Sequence, residues 1–152
     1  MRNRVFRMGD NMAGVSTATS WFTSGPHLRV YTIDGNTITE QCWDDGGPWY
    51  KGAFSGTGDT VGATSWLDSS KQIHLRVYVA ENGMVKERCW DKDKWYTGAF
   101  ESPGLSASAT SWVDASAKLH IRVYVQKYDN SVIEKCWDDA GPWYDGVYHG
   151  HV

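Results

Sequence analysis

Three copies of one motif divide most of the 152-residue chain into units of nearly equal length. Each copy runs through Ala-Thr-Ser-Trp, His-Leu/Ile-Arg-Val-Tyr, a Glu two residues before Cys-Trp-Asp, and Trp-Tyr-x-Gly. The opening tryptophans, Trp21, Trp66 and Trp112, are 45 and 46 residues apart. A period of roughly 40–50 residues is typical of a four-stranded propeller blade or of a helix pair. One repeated unit must therefore generate the fold.

The residue types of each copy favour strands. Val, Ile, Thr, Tyr and Trp are abundant, and these residues fit a pleated sheet. Turn residues such as Asp45–Pro48 separate the short runs, and no run combines helical spacing with helix caps. Asn82 and Gly83 indicate a tight hairpin. In the second copy we predict strands at Thr64–Leu67, His74–Ala80, Met84–Trp90 and Trp95–Phe100.

Four antiparallel strands per copy predict an all-β propeller with three blades in the chain. We expect a leader at residues 1–14 and blades at 15–61, 62–107 and 108–152. Propellers usually close with about 4–8 blades, so three blades leave two apolar faces open, which favours association. Two chains supply six blades, and a head-to-tail contact closes a ring when the rotation permits. The expected assembly is a homodimer that forms a six-bladed ring.

Composition excludes several classes of partner. The net charge of −3 and the isoelectric point near 5.9 do not fit a nucleic-acid-binding surface. No apolar run is long enough to span a membrane, and no signal peptide is recognisable. We therefore expect a soluble protein that is cytoplasmic or released by a non-classical route. The leader carries three arginines, and we expect it to be flexible or lightly docked.

The cysteines occur once per copy at one equivalent position, Cys42, Cys89 and Cys136. Equivalent positions on different blades are too far apart for a disulfide. We interpret these residues as buried free thiols that fill the core between blades. Close Cys/His spacing is absent, which excludes a zinc site, and we expect no metal ion and no cofactor.

Some polar positions are identical in all copies, although neighbouring positions differ. An Arg recurs at Arg29, Arg76 and Arg122, and a Glu recurs at Glu40, Glu87 and Glu134. Such residues are seldom buried without partners. They either brace adjacent blades as ion pairs, whose net stabilisation is small, or hold a ligand. Arg, Glu and indole rings together suit a sugar, because a few placed polar groups in an aromatic pocket form a typical small-ligand site.

Two further recurrent residue types have structural interpretations. The tryptophans of the short first strand, Trp21, Trp66 and Trp112, are expected to pack in the core. The recurrent histidines, His27, His74 and His120, are expected to be structural or to face solvent. Asp44 with Asp45, and Asp138 with Asp139, are interpreted as turn residues rather than as a calcium site.

Three strings in the second copy together resemble the Aleuria-type fucose-binding lectins of fungi and bacteria. They are His74-Leu-Arg-Val-Tyr78, Glu87-Arg-Cys-Trp-Asp91 and Trp95-Tyr-Thr-Gly-Ala-Phe100. The other copies match as well, so the resemblance covers nearly all of residues 17–150. It implies a six-bladed propeller, assembled here from shorter chains, that binds L-fucose and fucosylated glycans without catalysis.

The resemblance implies sites between adjacent blades, with Arg and Glu from one blade and two tryptophans from the next. By motif, the three sites would consist of Arg29, Glu40, Trp90 and Trp95; of Arg76, Glu87, Trp137 and Trp143; and of Arg122, Glu134 and the Trp43 and Trp49 of a second copy. The notch for the fucose methyl group would be formed by Ile73 and Leu75, by Leu119 and Ile121, and by Pro26 and Leu28. A small residue near the sugar would be Ala53 or Ala99, where the third copy has Val147.

The motifs also bear on two other functions, those of an enzyme and of a protein-binding scaffold. A glycosidase usually needs two carboxylates around the bond, whereas each motif offers one Glu beside an Arg that would lower its pKa. The protein is therefore expected not to be an enzyme. A propeller that binds a protein partner on its rim is the alternative, and it would tolerate replacement of the recurrent arginines.

Overall fold

The computed structural model describes residues 16–151, which form twelve strands in three antiparallel sheets. The predicted leader, residues 1–14, lies outside the described residues. Sheet 1 contains β1 (Ser16–Phe22), β2 (Pro26–Asp34), β3 (Thr37–Asp44) and β4 (Tyr50–Thr57). Sheet 2 contains β5 (Thr60–Leu67), β6 (Ile73–Glu81), β7 (Met84–Asp91) and β8 (Lys94–Pro103). Sheet 3 contains β9 (Ser106–Val113), β10 (Leu119–Gln126), β11 (Ser131–Asp138) and β12 (Tyr144–His151).

Each sheet is a meander in which consecutive strands are neighbours. Asn82 and Gly83 join β6 to β7 with φ angles of 51° and 76°, and two positive φ values are what a type I′ turn requires. The predicted hairpin and the four strands per copy are confirmed. The strands of the second copy are longer than predicted, because β5 and β6 pair continuously from Thr60 and Ala80 to Leu67 and Ile73.

Side chains alternate between the two faces of each sheet, as strand geometry dictates. We call the face toward the following sheet the front face and the opposite one the rear face. The front face of sheet 1 and the rear face of sheet 2 enclose a core of Tyr31, Ile33, Ile38, Phe54, Val61, Ala63, Val77 and Val79. The same relation between sheets 2 and 3 gives a core of Trp66, Tyr78, Ala80, Val85, Phe100, Ile121, Val123 and Val125.

The three cysteines are buried and unbridged, at the equivalent position of β3, β7 and β11. Burial raises the pKa of Cys42 to about 11 and that of Cys89 to about 12. Both side chains are therefore protonated thiols at neutral pH and act as small apolar groups. This result agrees with the predicted packing role.

The rear face of sheet 1 and the front face of sheet 3 have no neighbouring sheet among residues 16–151. Val77 and Val123 are fully buried, whereas the equivalent Val30 on the rear face of sheet 1 is half-exposed. At the front, Phe100 is 3 % exposed, whereas the equivalent Tyr148 of sheet 3 is 50 % exposed. Both end faces thus present apolar side chains that internal sheets bury.

No helix in the described part of the chain has the length and apolar character needed to cross a membrane.

Candidate functional site

A cleft of about 310 Å³ lies between sheets 1 and 2. Arg29 and Glu40 line it from the front face of sheet 1, and Trp90 and Trp95 line it from the rear face of sheet 2. The structure thus brings together all four residues of the first predicted site. The residues predicted for the apolar notch and the small position line the same cleft: Ile73, Leu75 and Ala53.

An equivalent cleft of about 390 Å³ lies between sheets 2 and 3. Arg76 and Glu87 line one wall, and Trp137 and Trp143 line the other. The predicted notch and small residues again line the cleft: Leu119, Ile121 and Ala99. Strand alternation explains the repetition, because equivalent residues in each copy must lie on the same face.

The third predicted site is split between the two ends of the chain. Arg122 and Glu134 lie on the open front face of sheet 3, and Trp43 and Trp49 belong to sheet 1. Trp49 is 52 % exposed, whereas its equivalents Trp95 and Trp143 pack against neighbouring cores. The described part of the chain therefore contains two complete clefts, and the residues predicted for a third lie apart in sheets 1 and 3.

Each recurrent Arg is held by the Asp of the Cys-Trp-Asp string in its own sheet. The Arg29 Nη1 atom donates to Asp44 Oδ1 over 2.9 Å, and its Nη2 atom lies 3.4 Å from Asp44 Oδ2. Arg76 with Asp91 and Arg122 with Asp138 repeat this two-point contact. The planar guanidinium matches a carboxylate in this geometry, so the Asp fixes the direction of the Arg.

The same Asp accepts two more hydrogen bonds. Tyr50 donates to Asp44 Oδ2, and His27 Nδ1 lies 2.6 Å from Asp44 Oδ1. Burial alone would raise the pKa of Asp44, but the bonds from Arg29, Tyr50 and His27 outweigh it and lower the pKa to about 2. The shared bond raises the pKa of Tyr50 to about 12. Asp44 is therefore ionised, and Tyr50 is neutral, across the physiological range.

The tryptophans of the first strands do more than pack in the core. Trp21 stacks on His27 at 5.1 Å between ring centroids, and the Arg29 guanidinium lies 4.7 Å from the Trp21 centroid. Trp66 and Trp112 repeat both contacts. Trp21 lines the first cleft, and Trp112 is 44 % exposed in the chain. The core interpretation needs correction, because each ring also supports an Arg by a cation–π contact.

The histidines have a structural role, in agreement with the sequence. Each lies between its Trp and its Asp, with a side chain that is 20 % exposed. Hydrogen bonds from His120 to Asp114 and Asp138 raise the pKa of His120.

The interpretation of Asp44 and Asp138 as turn residues is wrong. Both end a strand and bind the Arg of their sheet. Asp45 and Asp139 do lie in turns, each with a φ of 42°. Within residues 16–151, no group of three or more His, Cys, Asp or Glu side chains has a metal-binding arrangement.

Each recurrent Glu is held by a Tyr. Tyr31 donates to Glu40 Oε1 over 2.8 Å, and the Phe54 amide donates to Glu40 Oε2 over 3.1 Å. A Cβ on Gly52 would lie 2.0 Å from Glu40 Oε2, so only glycine leaves room for the carboxylate. Gly98 and Gly146 stand in the same relation to their Glu side chains. This explains the invariant glycine of Trp-Tyr-x-Gly.

The bracing hypothesis does not fit the ion pairs. Every ion pair between described residues joins side chains of the same repeat. Arg76 Nε lies 3.9 Å from Glu87 Oε1, which is too far for a hydrogen bond. Arg and Glu therefore stand side by side in the cleft, each held by another residue, and neither bridges to the next sheet.

The facing wall is aromatic and carries one unpaired donor. The Trp95 indole nitrogen is buried and has no acceptor among the described residues. Its ring meets Phe54 edge-to-face at 4.8 Å between centroids and lies 5.7 Å from the Trp90 ring. A polar wall of fixed donors and acceptors thus faces an apolar one, which suits a small ligand with hydroxyls on one side and C–H groups on the other.

Sequence reasoning missed two members of this arrangement, the anchoring Asp and its Tyr. The Asp residues are Asp44, Asp91 and Asp138, and the Tyr residues are Tyr50, Tyr96 and Tyr144. Their recurrence in all three copies was the available indication.

Comparison with known proteins identifies relatives over almost the whole chain. The model of the family described as "Fungal fucose-specific lectin" matches residues 3–114 and 99–152. A fucose lectin from Kordia zhangzhouensis, solved in complex with methyl-fucoside, is 44 % identical with a TM-score of 0.79. The match covers 88 % of this chain and 99 % of that one. No match was found among curated protein sequences.

The Aleuria aurantia lectin, solved as a six-bladed β-propeller, is 30 % identical with a TM-score of 0.67. The match covers 90 % of this chain but only 44 % of that lectin. A mutant of the same lectin, solved with alpha-methyl-L-fucoside, gives a TM-score of 0.68 at the same identity. The propeller fold predicted from the repeats is confirmed, and each sheet is one blade.

Proposed function

Because the chain belongs to the fungal fucose-specific lectin family, we propose that it is a lectin that binds L-fucose and fucosylated glycans at its inter-blade clefts. The observation that carries the proposal is the repeated cleft in which Arg and Glu face two tryptophans of the next sheet. The alternative of a scaffold for a protein partner has no support from the relatives.

In this proposal each side chain has a defined role. Arg29 donates to ring hydroxyls, and Glu40, whose two oxygens accept from Tyr31 and from the Phe54 amide, accepts from a sugar hydroxyl with a remaining lone pair. The unpaired indole N–H of Trp95 donates to the sugar, because a buried donor without an acceptor is costly. Ile73 and Leu75 receive the methyl group. Arg76, Glu87 and their facing residues act in the same way in the second cleft.

The protein is non-catalytic in this proposal. Each cleft holds a single Glu in its polar wall, and that Glu accepts a hydrogen bond from a tyrosine and packs against a close glycine. Retaining and inverting glycosidases place two carboxyl groups on either side of the scissile bond. Glycans would be bound from solution and released unchanged.

A homodimer completes the ring and the third site. The half-exposed Val30 and the exposed Tyr148 lie on the two end faces, where equivalent residues of the internal sheets are buried. Head-to-tail contact of two copies would cover both faces and place Trp43 and Trp49 of one copy opposite Arg122 and Glu134 of the other. The chain would then supply three sites, and the dimer six.

Multivalency would set the biological affinity. A single site for such a small ligand is expected to bind with a Kd on the order of micromolar to millimolar. Six sites on one ring would raise the avidity for a glycan-covered surface by about 10²–10⁴. Function would therefore depend on assembly.

Titration calorimetry with methyl α-L-fucoside, on protein whose mass is measured by ultracentrifugation, tests the proposal. We expect about three sites per chain for the dimer. Absence of heat, together with no retention on a fucosylated resin, would show that the clefts do not bind fucose. Methyl α-L-galactoside, which carries a hydroxymethyl group where the fucoside has its methyl group, serves as the control sugar.

A further inference from the structure

A second cleft lies between sheets 1 and 2, next to the first. It has a volume of about 420 Å³ and is lined by Phe54 and Thr57 of β4, by the β6–β7 hairpin and by Arg88 of β7. Phe54 also packs against Trp95, which lines the first cleft. The two clefts are therefore adjacent. We call this one the Arg88 cleft.

Arg88 is a cation without a partner in this cleft. Its Nε atom is buried and has no hydrogen-bond acceptor among the described residues, and its side chain forms no ion pair with them. The guanidinium lies 5.8 Å from the ring centroid of Phe54. Buried guanidinium nitrogens are normally paired, because an unmet donor loses its hydration without compensation. The unpaired Nε–H group of Arg88 therefore marks a position where a ligand would supply the acceptor.

The other two copies show that this is not a general property of the fold. In sheet 1 the equivalent residue is the neutral Gln41, opposite Lys51. In sheet 3 it is Lys135, which forms an ion pair with Asp145 directly opposite on β12. In sheet 2 the residue opposite Arg88 is Thr97. Among the three equivalent positions of β3, β7 and β11, only that of β7 holds a cation whose cross-strand partner is neutral; in sheet 1 the charge lies on the opposite strand, at Lys51.

The remaining charges of the cleft are balanced. Lys86 and Glu81 both line it, and Glu81 accepts a hydrogen bond from Thr57 over 2.7 Å. Arg88 thus gives the cleft its net positive charge. A cleft of about 240 Å³ between sheets 2 and 3 contains Phe100, Lys135 and Asp145, the equivalents of Phe54, Arg88 and Thr97, together with Glu101. It is acidic overall and serves as an internal control.

We propose that the Arg88 cleft is an anion subsite that receives the sulfate or carboxylate group of a glycan whose fucose occupies the adjacent cleft. This inference rests on the fucose-binding function proposed above. Arg is suited to both groups, because its planar fork donates two parallel hydrogen bonds to an oxyanion. The Arg88 cleft would make the first of the three sites prefer acidic fucosylated glycans. The other two sites would bind acidic and neutral glycans equally well.

The test compares one neutral fucosylated trisaccharide with the same trisaccharide bearing either a sulfate ester or a terminal sialic acid. By calorimetry we expect one site per chain to bind an acidic form about three- to tenfold more tightly than the neutral form. This gain should shrink as salt is raised. The acidic form that shows the gain identifies the group. Equal affinity of all three glycans at every site would overturn the proposal.

Three variants connect the gain to Arg88. Arg88→Gln copies the residue of sheet 1 and should abolish the gain, and Thr97→Asp copies the pair of sheet 3 and should do the same. Lys135→Gln is the matched control and should leave the gain intact. A gain that persists in Arg88→Gln would refute the subsite. Arg88→Gln and Lys135→Gln should bind methyl α-L-fucoside as wild type does, whereas Thr97 also lines the second fucose cleft, so Thr97→Asp is judged only at the first site.

A second measurement separates failure of the subsite from failure of the fucose function. The Nε–H resonance of Arg88 is followed by NMR during titration with sodium sulfate at constant ionic strength, with Arg88→Gln providing its assignment. A saturable shift without any fucoside binding would uphold the anion site and overturn the lectin proposal. Fucoside binding without a shift of the Arg88 resonance, and without tighter binding of an acidic glycan, would uphold the lectin proposal and overturn the anion site.

Discussion

Replacement of Gly98 by alanine should remove one fucose site without unfolding the chain. Gly98 lies on β8 behind the Glu87 carboxylate, and a Cβ there would stand 2.0 Å from Glu87 Oε2 and 2.7 Å from Cys89 Sγ. Contacts below 3.0 Å do not persist, so one group must move. Glu87 is 5 % exposed and accepts a hydrogen bond from Tyr78 over 2.9 Å. It cannot leave its position and keep that bond.

The expected loss of stability follows from the hydrogen bond between Tyr78 and Glu87 and from the steric overlap of the added methyl group. A hydrogen bond to a charged group contributes roughly 1.5–3 kcal/mol, and overpacking of a core adds roughly 1–3 kcal/mol. We expect Gly98→Ala to lower the free energy of unfolding by about 2–4 kcal/mol, measured by urea denaturation. Because Glu87 is also half of the polar wall in the second cleft, calorimetry should count about two sites per chain in place of three.

Gly56→Ala is the matched control, because it adds the same methyl group to another strand of the same fold. Its Cβ would meet only the Phe54 ring, at 3.4 and 3.5 Å, which is ordinary contact. We expect three sites and a change in unfolding free energy within about 1 kcal/mol. If Gly98→Ala retained three sites and wild-type stability, the position assigned to the Glu87 carboxylate would be incorrect.

Three further changes test other parts of the structure. Arg76→Ala should remove one site per chain in calorimetry and leave the sedimentation of the ring unchanged; loss of folding would instead favour a bracing role. Val30→Glu places a charge on the open rear face of sheet 1, so ultracentrifugation should show a folded monomer with two sites. A dimer that persisted would place the interface elsewhere. Asp44 has a folded pKa of about 2, below its ordinary value of 3.8, so its ionised form stabilises the fold above pH 3.8 and this contribution is lost as the pH falls through 2. Asp44→Asn should lower the free energy of unfolding, measured by urea denaturation at pH 6, by on the order of 1 kcal/mol. A stability difference between Asp44→Asn and wild type that did not close near pH 2 would contradict this.

Repetition made most of the fold and the composition of the clefts predictable from the sequence. Three equivalent strings allow weak local preferences for strand and turn to be averaged over three copies. Strand alternation then fixes which residues share a face, so that Arg29 and Glu40 must lie together. The facing Trp90 and Trp95 came from the family resemblance, which implies two tryptophans on the next blade.

The anchoring of Arg29 could not be derived in the same way. Arg29 is paired in register with Cys42, so Glu40 and Asp44 are its diagonal neighbours at equal sequence distance on the same face. Sequence reasoning joined the Arg to the Glu. The structure joins it to the Asp, because Trp21 and His27 support the guanidinium on that side and Tyr31 already engages the Glu. That choice depends on side-chain direction, which spacing does not encode.

The polar half of each site forms without help from the neighbouring blade. Arg122 and Asp138 face no other sheet within the described residues, and their Nη1–Oδ1 distance is 2.9 Å, compared with 2.9 and 3.0 Å in the two enclosed clefts. All contacts that hold the Arg lie within one sheet, so assembly has only to supply the aromatic wall and the apolar notch. A third site formed between two chains would require no rearrangement of its polar groups.

The affinity of this third site relative to the others would then depend on Pro26 in the notch and on Val147 at the small position, which differ from their equivalents in the enclosed clefts. Val147→Ala should therefore bring the third site closer to the other two in a dimer, and an unchanged third site would show that the difference lies in the notch.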